Sequence, residues 1–297
     1  MSTEKRNENF MLKQSRYSKG KKNVKQYSKN NASKKSGSGK NSYNAYYKKN
    51  DDGFQPKSNG KSNYGKKKYP SKSKGYPKKN AQKPSIKIAF LGGLNEIGKN
   101  ITLVECENDI IIIDCGMAFP DGDMLGVDLV IPDFTYIEQN ADRVKGIILT
   151  HGHEDHIGGL PFLLSKVNVP IYGTPLTLGL VGNKLKEHSL YNQSQLNVIN
   201  AGQSIKLGCM KIDFIHVNHS IPDAVAFAIH TPGGTIVHTG DFKIDCTPIT
   251  GDMIDLSSFA RVGDEGVLAL LSESTNAERP GYTPTERTVS DSLDNLF

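Results

Sequence analysis

Thr150-His151-Gly152-His153-Glu154-Asp155-His156 decides the reading of this chain. The apolar run Gly146 to Thr150 precedes it, and Ile157, Leu160, Leu164 and Val167 follow at helical spacing, so the cluster sits where a strand gives way to a helix spanning His156 to Val167. His151 and His153 are two residues apart, which in extended chain points both imidazoles to one side. Asp155 and His156 follow as the chain turns into the helix. One short loop can therefore serve two adjacent metals, and imidazole with carboxylate suits Zn²⁺ or Mn²⁺ rather than the all-oxygen shells of Mg²⁺ or Ca²⁺. The chain has 8 histidines in 297 residues, a density that makes this pattern a poor candidate for a chance solvated loop.

One loop cannot close two sites, so further ligands must come from other strand ends. His219 follows the expected strand Met210 to Val217, and Asp241 follows Thr235 to His238; both are candidate ligands. His216, His230 and His238 lie within strand runs and read as core or surface histidines, while His188 ends a helix, where a cation complements the dipole. Asp114, after four isoleucines, is either a turn residue or a group that orients the ligand loop. The glycines of Leu91 to Gly98 lack the spacing of a dinucleotide loop and are followed by a strand, so a tight turn is expected.

Outward from the cluster, charge divides the chain. Residues 1–85 hold 24 Lys+Arg against 4 Asp+Glu, and residues 86–297 hold 13 against 27, so the net +6 of the whole chain hides two opposite halves. The first segment, built of Lys, Asn, Ser, Gly and Tyr with few aliphatic residues, cannot bury enough apolar surface to offset its ordering entropy and is expected to be a disordered basic arm. Its 8 tyrosines among 22 lysines suit phosphate neutralisation and base stacking, with Lys66, Lys67 and Lys68 as an example; a merely solubilising tail is the alternative. The remainder reads as a folded α/β body. Its expected strands are Ile86 to Leu91, Ile101 to Glu105, Ile110 to Asp114, Gly146 to Thr150, Leu196 to Ile199, Met210 to Val217, Ala224 to His230, Thr235 to His238 and Val267 to Leu271, with a helix over Thr174 to Ser189.

Cys106, Cys115, Cys209 and Cys246 lack metal or disulfide spacing and read as small buried residues. No apolar run is long enough for a membrane span and no signal peptide is visible, so no membrane association and a cytoplasmic location are expected. Thr283-Pro284-Thr285-Glu286 has the pattern of a capping box opening a helix whose stripe, Val289, Leu293 and Leu296, needs something to pack on. A longer protein is therefore expected.

Several segments beyond the ligand run carry a resemblance: Leu91 to Asn100, Met124 to Asp133, Asn218 to Asp223 and Leu271 to Asn276. Together they resemble the β-CASP nucleases of the metallo-β-lactamase superfamily, and within these the bacterial ribonuclease J family. The resemblance implies an αββα sandwich, incomplete here, over residues 86–275, with residues 276–297 opening a β-CASP insertion. It implies that His151, His153 and His219 hold one metal and Asp155 and His156 the second, bridged by Asp241. Zn²⁺ is expected first and Mn²⁺ second. Asp155, His156 and Asp241 are the catalytic candidates, and Asp114 and Glu273 supporting groups. A water shared by the two metals would ionise near neutral pH and attack a phosphodiester in line.

The implied activity is RNA hydrolysis, 5′-to-3′ exonucleolytic and endonucleolytic, in RNA processing and decay, including that of rRNA. RNA is the implied partner, with homo-oligomers or other RNA-decay proteins in the longer form. Later β-CASP residues and the last histidine ligand of the family are missing from the sequence. Two other readings remain open: a small-molecule hydrolase of the same superfamily, and a non-catalytic RNA-binding fragment.

Overall fold

In the computed structural model residues 83–297 are described, so the basic arm, with Lys66, Lys67 and Lys68, lies outside the described residues apart from its last three positions. The first sheet is built from β1 (Ile86–Gly92), β2 (Ile101–Cys106), β3 (Asp109–Ile113), β4 (Val144–Ile148), β5 (Ile171–Gly173) and β6 (Leu196–Val198), which lie side by side in chain order. β1, β2 and β3 form an antiparallel meander, and β3 to β6 are parallel. The second sheet orders β7 (Ser204–Leu207), β8 (Met210–His216), β9 (Val225–Thr231), β10 (Gly234–His238) and β11 (Ala269–Leu271), antiparallel except for the β10–β11 pair.

The four isoleucines of β3 show how the layers assemble. Successive strand side chains face opposite ways, so Ile110 and Ile112 join a core with Leu160, Leu163 and Val181, beneath the helices α3 (Leu160–Leu164) and α4 (Pro175–Glu187). Ile111 and Ile113 join Ile212, Phe214 and Phe227 between the two sheets. The far face of the second sheet presents Ile215, Ala226 and Ala228 to Phe259 and Val262 of α5 (Leu256–Glu265). Helix, sheet, sheet and helix thus stack as an αββα sandwich. Among the described residues no helix is long and apolar enough to cross a membrane.

Three expectations need correction. The single helix over His156 to Val167 is two short ones, α2 (Glu154–Ile157) and α3, interrupted at Gly158-Gly159. Gly159 donates its N–H to the Cys115 carbonyl at 2.8 Å, and a Cβ there would come within 2.6 Å of the Gly116 carbonyl, so the break lets the ligand loop press against the segment after β3. The capping box is also absent. α6 (Arg287–Asp294) begins later than expected, with no side-chain cap, because Thr285 and Glu286 bond instead to residues 243–247. Of the four cysteines only Cys106 and Cys115 are buried; Cys209 is half-buried and Cys246 exposed.

Sequence reading left out α1 (Thr135–Gln139), the short β5 and β7, and α5. For α5 a signal existed: Asp255 accepts the Ser258 N–H at 3.0 Å as an N-cap, and Phe259 and Val262 follow on one face.

Candidate metal centre

Strand direction brings the candidate residues together. β3 and β4 are parallel, so Asp114 and the run from Thr150 emerge from adjacent ends. β8 and β10 both run antiparallel to β9, so His219 and Asp241 emerge on a common side of the second sheet. The two sheets then face these four ends toward one another.

His153 Nδ1 lies 3.0 Å from His151 Nε2 and 3.2 Å from His219 Nε2. His156 Nε2 lies 3.5 Å from both Asp155 Oδ2 and Asp241 Oδ1, and Asp241 Oδ2 is 3.7 Å from His219 Nε2. Two triads have ligand atoms within 4.8 Å of one another: His151, His153 and His219; and His151, His156 and Asp241. His151 belongs to both, and Asp155 stands beside the second through His156. All six candidate ligands therefore converge on one place.

The hydrogen bonds behind the cluster determine what its atoms can do. Asp114 Oδ1 accepts the Thr150 N–H at 2.8 Å, and its Oδ2 accepts the Thr150 hydroxyl at 2.8 Å and lies 2.8 Å from His156 Nδ1. Since the Thr150 hydroxyl proton is committed to Asp114, Thr150 Oγ1 can only accept from His151 Nδ1, 3.0 Å away. That network assigns the Nδ1–H tautomer to His151 and leaves its Nε2 lone pair facing His153. His156 likewise presents Nε2 toward two carboxylates, with its Nδ1 held by Asp114.

Electrostatics agree with this assignment. Burial, reinforced by the neighbouring His156, pushes His151 down to about 2, so its imidazole is neutral. Burial also lowers His219. For His156 burial opposes protonation, yet Asp114 and then Asp241 outweigh it and raise the imidazole to about 10. Asp241 is held down at about 2, against the effect of burial, chiefly by its hydrogen bond to His156. His151 and His219, held toward the neutral form, offer imidazole lone pairs, and a cation would displace the proton that the two carboxylates keep on His156. Imidazoles with adjoining carboxylates are the donor set of a divalent transition metal. The residues fit such an ion.

Sequence reading missed two contributors. Thr150 relays Asp114 to His151, as above. Asn100 Nδ2 donates to the Asp155 carbonyl at 3.1 Å and to Asp155 Oδ2 at 3.2 Å, and lies 3.1 Å from His156 Nε2. Nothing local in sequence marks Asn100, whose partners are 55 and 56 residues away. Asp114, left open between turn and support, bonds to the ligand loop. Glu273, expected from the resemblance to support the histidines and otherwise to be a turn acid, has its carboxylate accepting the Thr275 N–H at 2.8 Å, which closes its own turn. Glu273 still lines, with Asp155, His156 and Asp241, a cavity of about 680 Å³. His238 also faces that cavity, its Nδ1 accepting the Gly240 N–H at 3.1 Å just before Asp241.

The profile of the metallo-β-lactamase superfamily matches residues 94–274. The chain belongs to the metallo-β-lactamase superfamily. Within this superfamily it is 50% identical over 208 residues to ribonuclease J 1 of Streptococcus pyogenes, covering 70% of this chain and 37% of that protein. It is 47% identical over 220 residues to ribonuclease J2 of Bacillus subtilis, covering 74% of this chain and 39% of the other. Ribonuclease J of Synechocystis is 47% identical over 221 residues, covering 74% and 34%. The chain thus spans little more than a third of the length of these relatives. A solved protein of unknown function from Enterococcus faecalis shares the fold, with a TM-score of 0.52 at 17% identity over 72% of this chain and 57% of its own. Membership in this metallo-β-lactamase superfamily and the histidine–aspartate cluster together assign divalent-metal binding to the chain.

Proposed function

We propose that this chain is the metal-binding part of a ribonuclease of the J type, in which His151, His153 and His219 hold one divalent cation, Asp155 and His156 the second, and Asp241 lies between them. The observation that carries the reading is the convergence of His151, His153, His219, His156 and Asp241 ligand atoms within 4.8 Å in two groups sharing His151. Likeness to proteins named ribonuclease J supplies the substrate class, RNA. Zinc is the first candidate ion and manganese the second.

When bound, two such cations supply a water that ionises near neutral pH and offset charge on the scissile phosphate. The chain's own part is to hold lone pairs in place. Asp114 fixes His156 through Nδ1 and, by way of Thr150, fixes His151. Asn100 pins the Asp155 carboxylate and backbone together. Asp155 and Asp241, both partly exposed, face the cavity through which a strand of RNA reaches the site.

In the domain reading, residues 86–275 are the first part of the lactamase domain, residues 276–297 open a β-CASP insertion, and residues 1–85 are a basic arm that holds RNA. Cleavage leaving a 5′-phosphate, by both exonucleolytic and endonucleolytic routes in the cytoplasm, belongs to the same proposal.

The test uses the whole protein and 5′-phosphorylated RNA. Purified wild type should carry two divalent ions and lose hydrolysis on chelation. Asp155→Ala and His156→Ala should abolish turnover while the circular dichroism spectrum is kept. Undiminished turnover in either variant sinks the assignment.

A further inference from the structure

Asp241 and His219 share a weakness of support: β10 ends at His238 and β8 at His216, so neither residue is held by a strand ladder. Before Asp241 the chain is anchored by Thr239 and Gly240, which donate to the Leu271 carbonyl and to His238. After Asp241 and beside His219 a chain of contacts runs to Thr285 and Glu286, which lie beyond the superfamily match ending at residue 274. The Glu286 N–H donates to Asp245 Oδ2 at 3.0 Å, and the Thr285 hydroxyl donates to the Thr247 carbonyl at 3.0 Å. The Glu286 carboxylate pairs with the Lys243 ammonium, which also stands 3.8 Å from Asp245 Oδ2. Asp245 is buried, its side chain 1% exposed, and its Oδ1 accepts the Thr247 N–H at 2.9 Å.

From Lys243 the contacts divide. Asp241 lies two residues back along the chain. The Lys243 N–H also donates to the Asn218 carbonyl at 2.8 Å, directly before His219. Asn218 in turn is anchored by its own side chain, which donates to the Asp252 carbonyl and accepts the Ile254 N–H, both at 2.9 Å. His219, Lys243, Asp245 and Glu286 line one cavity of about 430 Å³.

We infer that Thr285, Glu286 and Asp245 form a clasp that positions Asp241 and His219 for metal binding, so that the segment after the lactamase-type sandwich sets the affinity of the metal centre. These are positioning residues: none is a candidate ligand, Glu286 and Asp245 act through Lys243, and Thr285 acts through Thr247 and the loop that follows Asp245. The inference rests on the metal assignment proposed above. Groups that orient ligand-bearing loops change metal affinity about 10- to 100-fold when removed, whereas a partly exposed ion pair adds little to the stability of a fold. Affinity and stability should therefore separate.

The experiment measures zinc dissociation constants by competition with a chromophoric chelator, alongside melting of the metal-free protein. Glu286→Ala and Thr285→Val are expected to weaken zinc binding about tenfold with the metal-free melting midpoint unchanged. Glu286→Gln, which keeps an acceptor for Lys243, should fall between. Asp245→Asn should weaken binding further, and if it unfolds the protein the variants at the two half-buried positions, Thr285 and Glu286, decide. Glu265→Ala, which removes the exposed Arg261–Glu265 pair on α5, is the reference and should change neither quantity. Wild-type zinc affinity in Glu286→Ala and Thr285→Val overturns the clasp. A wild-type protein that binds no zinc or manganese overturns instead the metal reading on which it rests.

Discussion

Asp114 Oδ2 sits 2.8 Å from His156 Nδ1 across the parallel β3–β4 pair, with both groups almost wholly buried. The same carboxylate holds Thr150 and through it His151, so one acid sets the ring orientation of two candidate ligands. Asp114 has φ +59°, a conformation that asparagine tolerates best among other side chains with a Cβ. Asp114→Asn should therefore keep the backbone while removing the charge. Zinc affinity should fall about 10- to 100-fold, read by chelator competition; an unchanged dissociation constant would show that His156 and His151 need no such support.

Gly116 stands where the segment after β3 crosses the ligand loop. A Cβ at this position would fall on the Asp155 carbonyl and within 2.9 Å of the Asn100 amide nitrogen. Gly116→Ala must push the Asp155 backbone away and break the Asn100–Asp155 contact. The expected cost is about 1–3 kcal/mol in urea denaturation, with metal binding lost at the site that includes Asp155. Retained stability and stoichiometry would contradict the packing described.

Glu105 supplies a pH dependence away from the metal centre. Its carboxylate lies 2.7 Å from Arg143 and 2.9 Å from Lys87, and accepts the Tyr136 hydroxyl at 2.8 Å. Burial opposes ionisation, but Arg143, Lys87 and Tyr136 together hold its pKa down at about 2, below an ordinary value of 4.5. A carboxylate depressed in the folded state stabilises above its unfolded pKa and loses that contribution as pH falls toward the folded one. Glu105→Gln should thus cost on the order of 1–3 kcal/mol at neutral pH. The difference from wild type should close between pH 4.5 and about 2. Denaturation of both proteins in chelator across that range checks it, and a gap that widens on acidification would refute the assignment.

The arm bears on RNA affinity. With 24 Lys+Arg in residues 1–85 and an excess of acid in the remainder, the body alone should repel a phosphate backbone. Each phosphate neutralised contributes roughly −0.7 to the slope of log K against log salt for single strands. Deleting residues 1–85 should weaken RNA binding and flatten that slope in anisotropy titrations. An unaltered slope would favour a merely solubilising tail.

Much of the centre was legible because much of it is local. His151, His153, Asp155 and His156 lie within six residues, and a strand-to-helix junction suffices to read them as one loop. His219 and Asp241 were legible as polar residues after strand ends. By contrast, the break between α2 and α3 escaped helical periodicity, because the apolar spacing of Ile157, Leu160 and Leu164 persists across Gly158-Gly159 while the backbone turns to meet Cys115 and Gly116. Glu273 has two readings in the sequence, support for the histidines from its familiar segment or a turn acid, and its carboxylate accepts the N–H of Thr275, two residues on in its own turn.

By itself the sequence determined an α/β body, the ligand loop and the opposite charges of arm and body, because strand alternation, motif spacing and composition are properties of neighbouring residues; the αββα order of layers came from the resemblance. Tertiary structure alone decided which distant groups serve that loop. Asn100 reaches Asp155, Asp114 reaches His156, and Thr285 and Glu286 reach the loop of Asp241, through strand pairing and sheet stacking that no local pattern records. The seven-residue run quoted at the outset names a metal loop; the packed sheets decide which nitrogen of His151 is left free to bind one.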